Sequence, residues 1–394
     1  MAHIEEYKIW SKVKKLFRVA TIAGSLGLLK GQLHFLSSYY DVIAVASGPE
    51  RLKQVEIEEG VRTVDIPMER KISLWRDCKS LFRLIRLFRK EKPFIVHSIT
   101  PKAGLLSMIA AKIARVPVRI HTFTGLLFPT SVGIKRTILI ITDKITCWCA
   151  TEIIPEGEGV KRDLITHRIT KKPLSVIANG NVNGIDLSYF APFSFSLENR
   201  ESKRTELEIK EEDFVFVFVG RLVRDKGINE LIVAFRDLNL PKTKLLLVGR
   251  YETELDPLKS ETMEEIKDNP NIIEVGWQND VRPYLMISDA MVFPSYREGF
   301  PNVVMQAGAM GLPSIVTDIN GCNEIVVEGK NGLIIPPRDE GALREAMLTM
   351  IQNATLRETM TFQARPMITS RYEQNIVWDA LLEEYRLLEA KLRK

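Results

Sequence analysis

Among 394 residues there are only four cysteines, Cys78, Cys147, Cys149 and Cys322, and only five histidines. That scarcity excludes a disulfide-stapled scaffold, and the one close pair, Cys-Trp-Cys at 147–149, lacks the second Cys/His pair of a zinc site. All four cysteines are read as buried or half-buried thiols. No Asp-x-Asp pair occurs, which removes the usual two-carboxylate clamp for a divalent cation. No apolar run approaches the ~18 to 20 residues a spanning helix needs. The first fifteen residues hold Glu5, Glu6 and several lysines in place of a signal peptide's apolar middle, so the chain is expected in the cytosol. No helix-turn-helix, RNA-binding or zinc-finger spacing is present, and nucleic acid is not an expected partner.

What is present is a globular composition, 45% hydrophobic and 27% charged, in a chain long enough for two domains. The charge is uneven: residues 1–200 carry a net +13 and the remaining 194 a net −8, which make the chain's +5. A basic half points to an anionic surface or to phosphorylated ligands. Short β-rich runs alternate with helical stretches along nearly the whole length, the pattern of parallel sheets with crossover helices. The strands read as 16–23, 41–46, 62–67, 94–99, 118–123 and 151–156, with helices such as 49–59, 74–92 and 102–114 between them. Turn-rich sequence at 178–212 then reads as a linker, after which strands resume at 214–221, 243–250, 271–277, 290–295 and 313–318. The expected fold is therefore α/β, two Rossmann-like, doubly wound parallel-sheet domains facing a central cleft. The first spans 1–200 and the second 201–370, with a final helical segment from Arg371 long enough to return to the first domain.

In open parallel sheets, ligands sit beyond the carboxyl ends of the strands, so the loops after strands carry the information. Gly24 and Gly27 lie in GSLGLLKG after the first strand, either as a plain strand-to-helix turn or as a place where backbone approaches a phosphate or sugar. His97 in HSITPKAG and His121 in HTFTGLLFP stand at neighbouring strand ends, as satisfied structural residues or as site residues. Lys102 serves an anion or is simply solvated. In GRLVRDKG, Gly220 leads to Arg221 and Lys226, five residues apart across a turn. They are a pair of surface cations or, with the following helix N-terminus, a diphosphate site. The segment Pro294–Pro313 offers Arg297, Glu298 and Gly299 in a loop, with Pro301 fitting the first turn of the next helix. The amides of Gly299, Phe300 and Asn302 would face the same side as Glu298, which could accept a sugar hydroxyl while phosphate oxygens take the amides.

Together GRLVRDKG, PSYREGFPNVVMQAGAMGLP, the glycine loop after the first strand and ANGNVNGIDLSYF resemble the GT-B fold glycosyltransferases of family 4, from about residue 16 to the end. HSITPKAG and HTFTGLLFP resemble bacterial members that extend lipid-linked sugars for capsule, O-antigen or other glycans. The resemblance implies retaining transfer from a nucleotide sugar, usually a UDP-sugar. It assigns Arg221 and Lys226 to the departing diphosphate, Glu298 to the donor sugar and His121 to its lining by hydrogen bonding. It also implies front-face attack in which the donor phosphate accepts the acceptor's proton. Where the family has a second glutamate for the ribose this chain has Gln306, which keeps an acceptor oxygen and loses the charge. Cations and helix N-termini, with no metal and no cofactor, would then stabilise the leaving group.

The basic half has a candidate use in KSLFRLIRLFRK, where Lys79, Arg83, Arg86 and Lys90 recur at helical spacing beside Leu81, Leu84, Ile85 and Phe88. This is a surface helix packed on its sheet or a helix lying at an anionic bilayer, and the two readings are compatible. The expected protein is a peripheral glycosyltransferase on the cytoplasmic face of the inner membrane. Its partners would be a UDP-hexose or UDP-N-acetylhexosamine and a polyprenyl-diphosphate-linked or glycan acceptor, with His97 and Lys102 on the acceptor side. The rivals are a nucleotide-sugar epimerase, which would convert donor without acceptor, and a non-catalytic nucleotide-sugar binder, suggested by Gln306.

Overall fold

Val215, Phe216, Val217 and Phe218 are all fully buried, so this run satisfies only a strand covered by helices on both sides. The same logic organises the whole chain. The structure, a computed structural model, describes residues 13–69, 73–254 and 256–392; most of the first fifteen residues, where no signal peptide is expected, lie outside the described residues. The strands are β1 (Lys15–Ile22), β2 (Asp41–Ser47), β3 (Arg62–Asp65), β4 (Ile95–Ser98), β5 (Val118–Phe123) and β6 (Glu152–Pro155), then β7 (Phe214–Val219), β8 (Thr243–Val248), β9 (Ile272–Gly276), β10 (Ala290–Phe293), β11 (Ser314–Thr317) and β12 (Gly332–Ile335). The helices between β1 and β6 are α1 (Gln32–Ser37), α2 (Pro49–Glu59), α3 (Leu74–Glu91), α4 (Pro101–Ile113) and α5 (Gly133–Cys149). Those after β6 are α6 (Glu158–Thr166), α7 (Leu197–Glu206), α8 (Ile228–Leu238), α9 (Ser260–Asp268), α10 (Arg282–Met286), α11 (Asn302–Ala309), α12 (Cys322–Ile325), α13 (Glu340–Gln352), α14 (Ala354–Tyr372) and α15 (Gln374–Lys391).

The strands form two six-stranded parallel sheets, ordered β3-β2-β1-β4-β5-β6 and β12-β11-β10-β7-β8-β9. Each has the doubly wound order, with its switch point between β1 and β4 in one sheet and between β7 and β10 in the other. The described residues divide into two compact units, one of those within 13–155, 163–177 and 378–392, the other of those within 156–162 and 178–377. The division falls before the expected 200/201 boundary because residues 178–190 are bonded into the second unit. Ile185 bridges Glu373, and Asn181 Nδ2 donates to Asn302 Oδ1 at 2.8 Å.

Several elements differ from the sequence reading for local reasons. The glycine loop forms a 3-10 turn (Ala23–Leu29) before α1. The 178–212 stretch contains α7, started by a capping box between Ser196 and Asn199 and tied down by buried Arg204, which donates to the carbonyls of Ile287 and Asp213. The twelfth strand, GLII, is too short to stand out between an Asn-Gly turn and a proline pair. The last helix begins at Gln374 rather than Arg371, because the Ile185 bridge breaks the helical path at Glu373. Its Trp378 covers Gly31 so closely that a Cβ there would lie 2.8 Å from the indole, and it packs 5.4 Å from the Phe35 ring. Cys78, expected to be at least half-buried, is exposed on α3.

On α5, burial pushes the Asp143 carboxyl from its ordinary 3.8 to about 7. The folded chain thus holds that proton up to about pH 7, whereas the unfolded chain releases it near pH 4, so Asp143 subtracts stability as pH rises through this window. Asp143→Asn should raise the unfolding free energy by up to about 4 kcal/mol at pH 8 and barely change it at pH 4, measured by urea denaturation at both pH values.

Candidate active site

In the second unit the loops after β7 and β10 flank the switch point, and the residues singled out there converge. After β7 the chain turns through Arg224–Lys226 into α8, with Gly227 in the left-handed region (φ 71) as the residue before the helix. Gly227 is also a contact point: a Cβ there would sit 2.1 Å from the Pro294 carbonyl oxygen in the loop after β10. That approach delivers Lys226 to Glu298, and its ammonium donates to Glu298 Oε1 while lying 5.2 Å over the Phe293 ring. Ser295 Oγ donates to the same carboxylate oxygen at 2.6 Å. The lysine and glutamate side chains are only 15% and 14% exposed. Arg297 reaches across the same gap, donating to Asp225 Oδ2 at 3.0 Å, and Tyr296 N donates to the Asp225 carbonyl at 2.9 Å.

Behind this pair the packing is tight. A Cβ on Gly321 would come within 2.4 Å of the Gly299 carbonyl. Phe300 is buried, stacked edge-on against Tyr372 at 5.4 Å and seated over Gly157 and Gly180. Pro301 caps α11 instead of occupying its first turn, so the helix starts at Asn302. Gln306 is half-buried one turn in, on the same short helix. Fully buried Glu156 has its carboxyl pushed well above the usual range, first by burial and then by the charges of Glu298 and Glu324. Glu324 accepts from the amides of Glu158 at 2.7 Å and Gly159 at 3.0 Å.

Arg221 is not drawn to the Lys226–Glu298 pair; its guanidinium donates to Glu252 Oε2 at 2.5 Å. It lines a pocket of about 230 Å³ at the ends of β7, β8 and β9, with Gly220, Arg250, Trp277 and Gln278. The indole of Trp277 is 61% exposed, a broad apolar plate beside cations. This pocket was missed in the sequence reading; the only signal was Gly-Trp directly after a strand.

The first unit places its residues differently. Gly24 and Gly27 have ordinary φ, and a Cβ at either would meet nothing within 4 Å, so no protein packing demands glycine there. His121 is fully buried within β5. Its ring is pressed onto α4 at Gly104, where a Cβ would lie 2.3 Å from Cε1, and its Nδ1 is 2.8 Å from Ser98 Oγ. Burial lowers its pKa from 6.5 to about 3, so the imidazole is neutral at any working pH.

His97 and Lys102, placed with the acceptor by sequence, are engaged inside the unit. His97 Nδ1 accepts from buried Arg18 and lies 2.6 Å from the Tyr385 hydroxyl, which leaves Nε2 to donate to Thr122 Oγ1 at 2.7 Å. Burial, then the Arg18 charge, lowers its pKa well below the ordinary value. Lys102 donates to both oxygens of Asp77, at 2.7 and 3.0 Å. On α3, Lys79, Arg83, Arg86 and Lys90 are all exposed; of the adjoining apolar residues only Leu84 and Phe88 are fully buried.

Two family models match the chain, glycosyl transferases group 1 over residues 199–367 and a glycosyl transferase 4-like domain over residues 36–180. The chain is 37% identical over 378 residues to the capsular polysaccharide biosynthesis glycosyltransferase CapM of Staphylococcus aureus, covering 95% of this chain and 97% of that one. It is 32% identical to the UDP-Gal:alpha-D-GlcNAc-diphosphoundecaprenol alpha-1,3-galactosyltransferase of Escherichia coli, covering 76% and 77%. Among solved structures, Anabaena HepE in complex with UDP-glucose superposes with a TM-score of 0.79 at 18% identity, covering 94% of this chain and 99% of HepE. WaaG, a glycosyltransferase involved in lipopolysaccharide biosynthesis, superposes at 0.70 and 14% identity, covering 93% and 98%. These structural likenesses establish the GT-B fold.

Proposed function

This chain belongs to the group 1 glycosyl transferases, and from that premise we propose that it moves a hexose or N-acetylhexosamine from a UDP-sugar to a polyprenyl-diphosphate-linked or surface-glycan acceptor, with retention and without a metal ion. The observation that carries the reading is the meeting of Lys226 and Glu298 at the switch point of the second sheet, beside the Arg221–Trp277 pocket.

In this reading a nucleoside occupies the pocket with its base against Trp277, Gln306 takes the ribose as the family resemblance implies, and the diphosphate runs past Arg221 toward the loop amides of Gly299 and Phe300. When the donor binds, the Lys226 ammonium exchanges Glu298 for the diphosphate oxygens, and the released carboxylate accepts from a hydroxyl of the donor sugar. A cation already held in place stabilises charge as it develops, without reorganising at the moment of bond breaking. The acceptor hydroxyl attacks on the face the diphosphate leaves, and the phosphate oxygen takes its proton. Neutral His121 is suited to hydrogen bonding and not to general-base work. Gly24 and Gly27, free of any packing demand, leave their backbone open to a ligand. The activity for which the Escherichia coli relative is named, with a UDP-sugar donor and a diphosphoundecaprenol-linked acceptor, supports both substrate classes. The exposed cations of α3 suit a peripheral position on the cytoplasmic face of the inner membrane.

The test is transfer from a panel of UDP-sugars to a short polyprenyl-diphosphate sugar in excess EDTA, with the product anomer assigned by NMR. The expected result is undiminished transfer and retained configuration. Loss of transfer in EDTA would overturn the metal-free mechanism. Donor conversion without acceptor would favour an epimerase, and UDP binding without transfer, with activity gained by Gln306→Glu, would favour a binder.

A further inference from the structure

Helix α5 is built inside out. A surface helix ordinarily turns its apolar stripe to the core. Here Ile134, Ile138, Ile141, Ile145 and Trp148, spaced four, three, four and three residues apart on one face, are all exposed, Ile134 by 81% and Trp148 by 69%. The fully buried residues of the helix are Thr146, Cys147 and Cys149, and Asp143 lies on the side away from the isoleucines. Exposed Lys135 and Lys144 flank the stripe on its two sides, and the Lys112 ammonium of α4 sits 2.9 Å from the centre of the Trp148 ring.

The neighbouring charge indicates what covers this face. Helices α3 and α5 both pack against α4, so the three form one layer of the first unit. Together they hold eleven Lys and Arg against three Asp and Glu. Those acids offset little of the outward charge: Asp77 pairs with Lys102, Glu91 with Lys15 and Arg62 outside these helices, and Asp143 is turned inward. Exposed Trp75 and Phe82 add apolar area to the basic face of α3, with Lys79 5.3 Å over the Trp75 ring. A second copy of this chain would bring like charge against like charge. An anionic lipid surface meets both the isoleucines and the cations around them.

We propose that α5 lays its isoleucine stripe and Trp148 into the headgroup–acyl boundary of an anionic bilayer, while α3 supplies the electrostatic contact. The proposal deepens the membrane-peripheral reading above by naming the face that enters the lipid. It differs from a purely electrostatic contact in that apolar insertion survives salt, whereas attraction between exposed cations and lipid headgroups is screened.

The full chain is mixed with vesicles of phosphatidylcholine, with or without phosphatidylglycerol, and the bound fraction is read by sedimentation at low and high salt. Ile138→Ser/Ile141→Ser, at two exposed positions, should lower partitioning into phosphatidylglycerol vesicles about tenfold or more at both salt levels. Lys79→Ser/Arg83→Ser/Arg86→Ser should lower it at low salt only. Phospholipid brominated on its acyl chains should quench tryptophan emission in the wild type, and Trp148→Phe should lose most of that quenching. Wild-type partitioning by the isoleucine variant, or quenching unaffected by Trp148→Phe, would overturn the proposal. So would a solution dimer that the isoleucine variant dissolves, which would assign the face to a second copy. Thermal shift by UDP without vesicles should be the same in all these variants, so loss of membrane binding is distinguishable from failure of the donor-site reading.

Discussion

Lys226→Ala should lower kcat for sugar transfer by about 10²- to 10³-fold, with a smaller change in KM for the UDP-sugar. Three features make this lysine more than a binding cation. It stands at the switch point of its sheet, opposite Glu298, and is only 15% exposed, so its field acts with little screening by water. It is held from both sides, by the Glu298 carboxylate and by the Phe293 ring, so it needs no ordering when the diphosphate begins to leave. Its role grows with the charge on the leaving group, which is why the loss belongs mainly in kcat. The variant also leaves Glu298 with Ser295 Oγ but without its ammonium partner, so circular dichroism and a melting curve must accompany the rates. Steady-state kinetics within a few-fold of wild type would remove Lys226 from the mechanism. Arg221→Ala should act chiefly on donor affinity, because the Arg221 guanidinium is bound to Glu252 at the pocket rim.

Gly227→Ala should destabilise the second unit by about 3 kcal/mol or more, since it combines two separate costs. The residue sits at φ 71, where a Cβ is strained, and that Cβ would lie 2.1 Å from the Pro294 carbonyl oxygen, a backbone atom with no rotamer to yield. Relief requires the β7 and β10 loops to part, which separates Lys226 from Glu298, so activity should fall with stability. Gly24→Ala supplies the contrast, because its Cβ would meet nothing within 4 Å. Thermal unfolding should show a large loss for Gly227→Ala and almost none for Gly24→Ala. Activity lost in Gly24→Ala at unchanged stability would then report the approach of a ligand. An unchanged melting temperature for Gly227→Ala would mean that the two loops are not locked together as described.

Eleven of the twelve strands among the described residues were legible because most are apolar runs bounded by turn residues, the pattern of strands buried on both faces; β3, Arg-Thr-Val-Asp at the sheet edge, was legible from its place in the alternation. The cations and the glutamate of the second unit were legible for a related reason. They follow strands directly, and a strand's carboxyl end determines where its loop emerges. The fate of the histidines was not. His97 stands four residues before a proline-started helix, which looks like a site; yet it is bonded to Arg18, Thr122 and Tyr385, the last of them 288 residues away. The outward face of α5 was equally hidden, since Ile134, Ile138, Ile141 and Ile145 have the spacing of any core-facing stripe.

Local chemistry alone therefore determined the alternation of strands and helices, the two-sheet plan, and the loops bearing Lys226, Arg221 and Glu298. These follow from apolar periodicity and turn residues acting over a few neighbours. Tertiary structure decided which charges meet, which imidazoles are sealed away and neutral, and which isoleucine stripe is left facing outward. Those outcomes depend on packing between segments far apart in the chain, and a pattern read along one segment does not contain its partner.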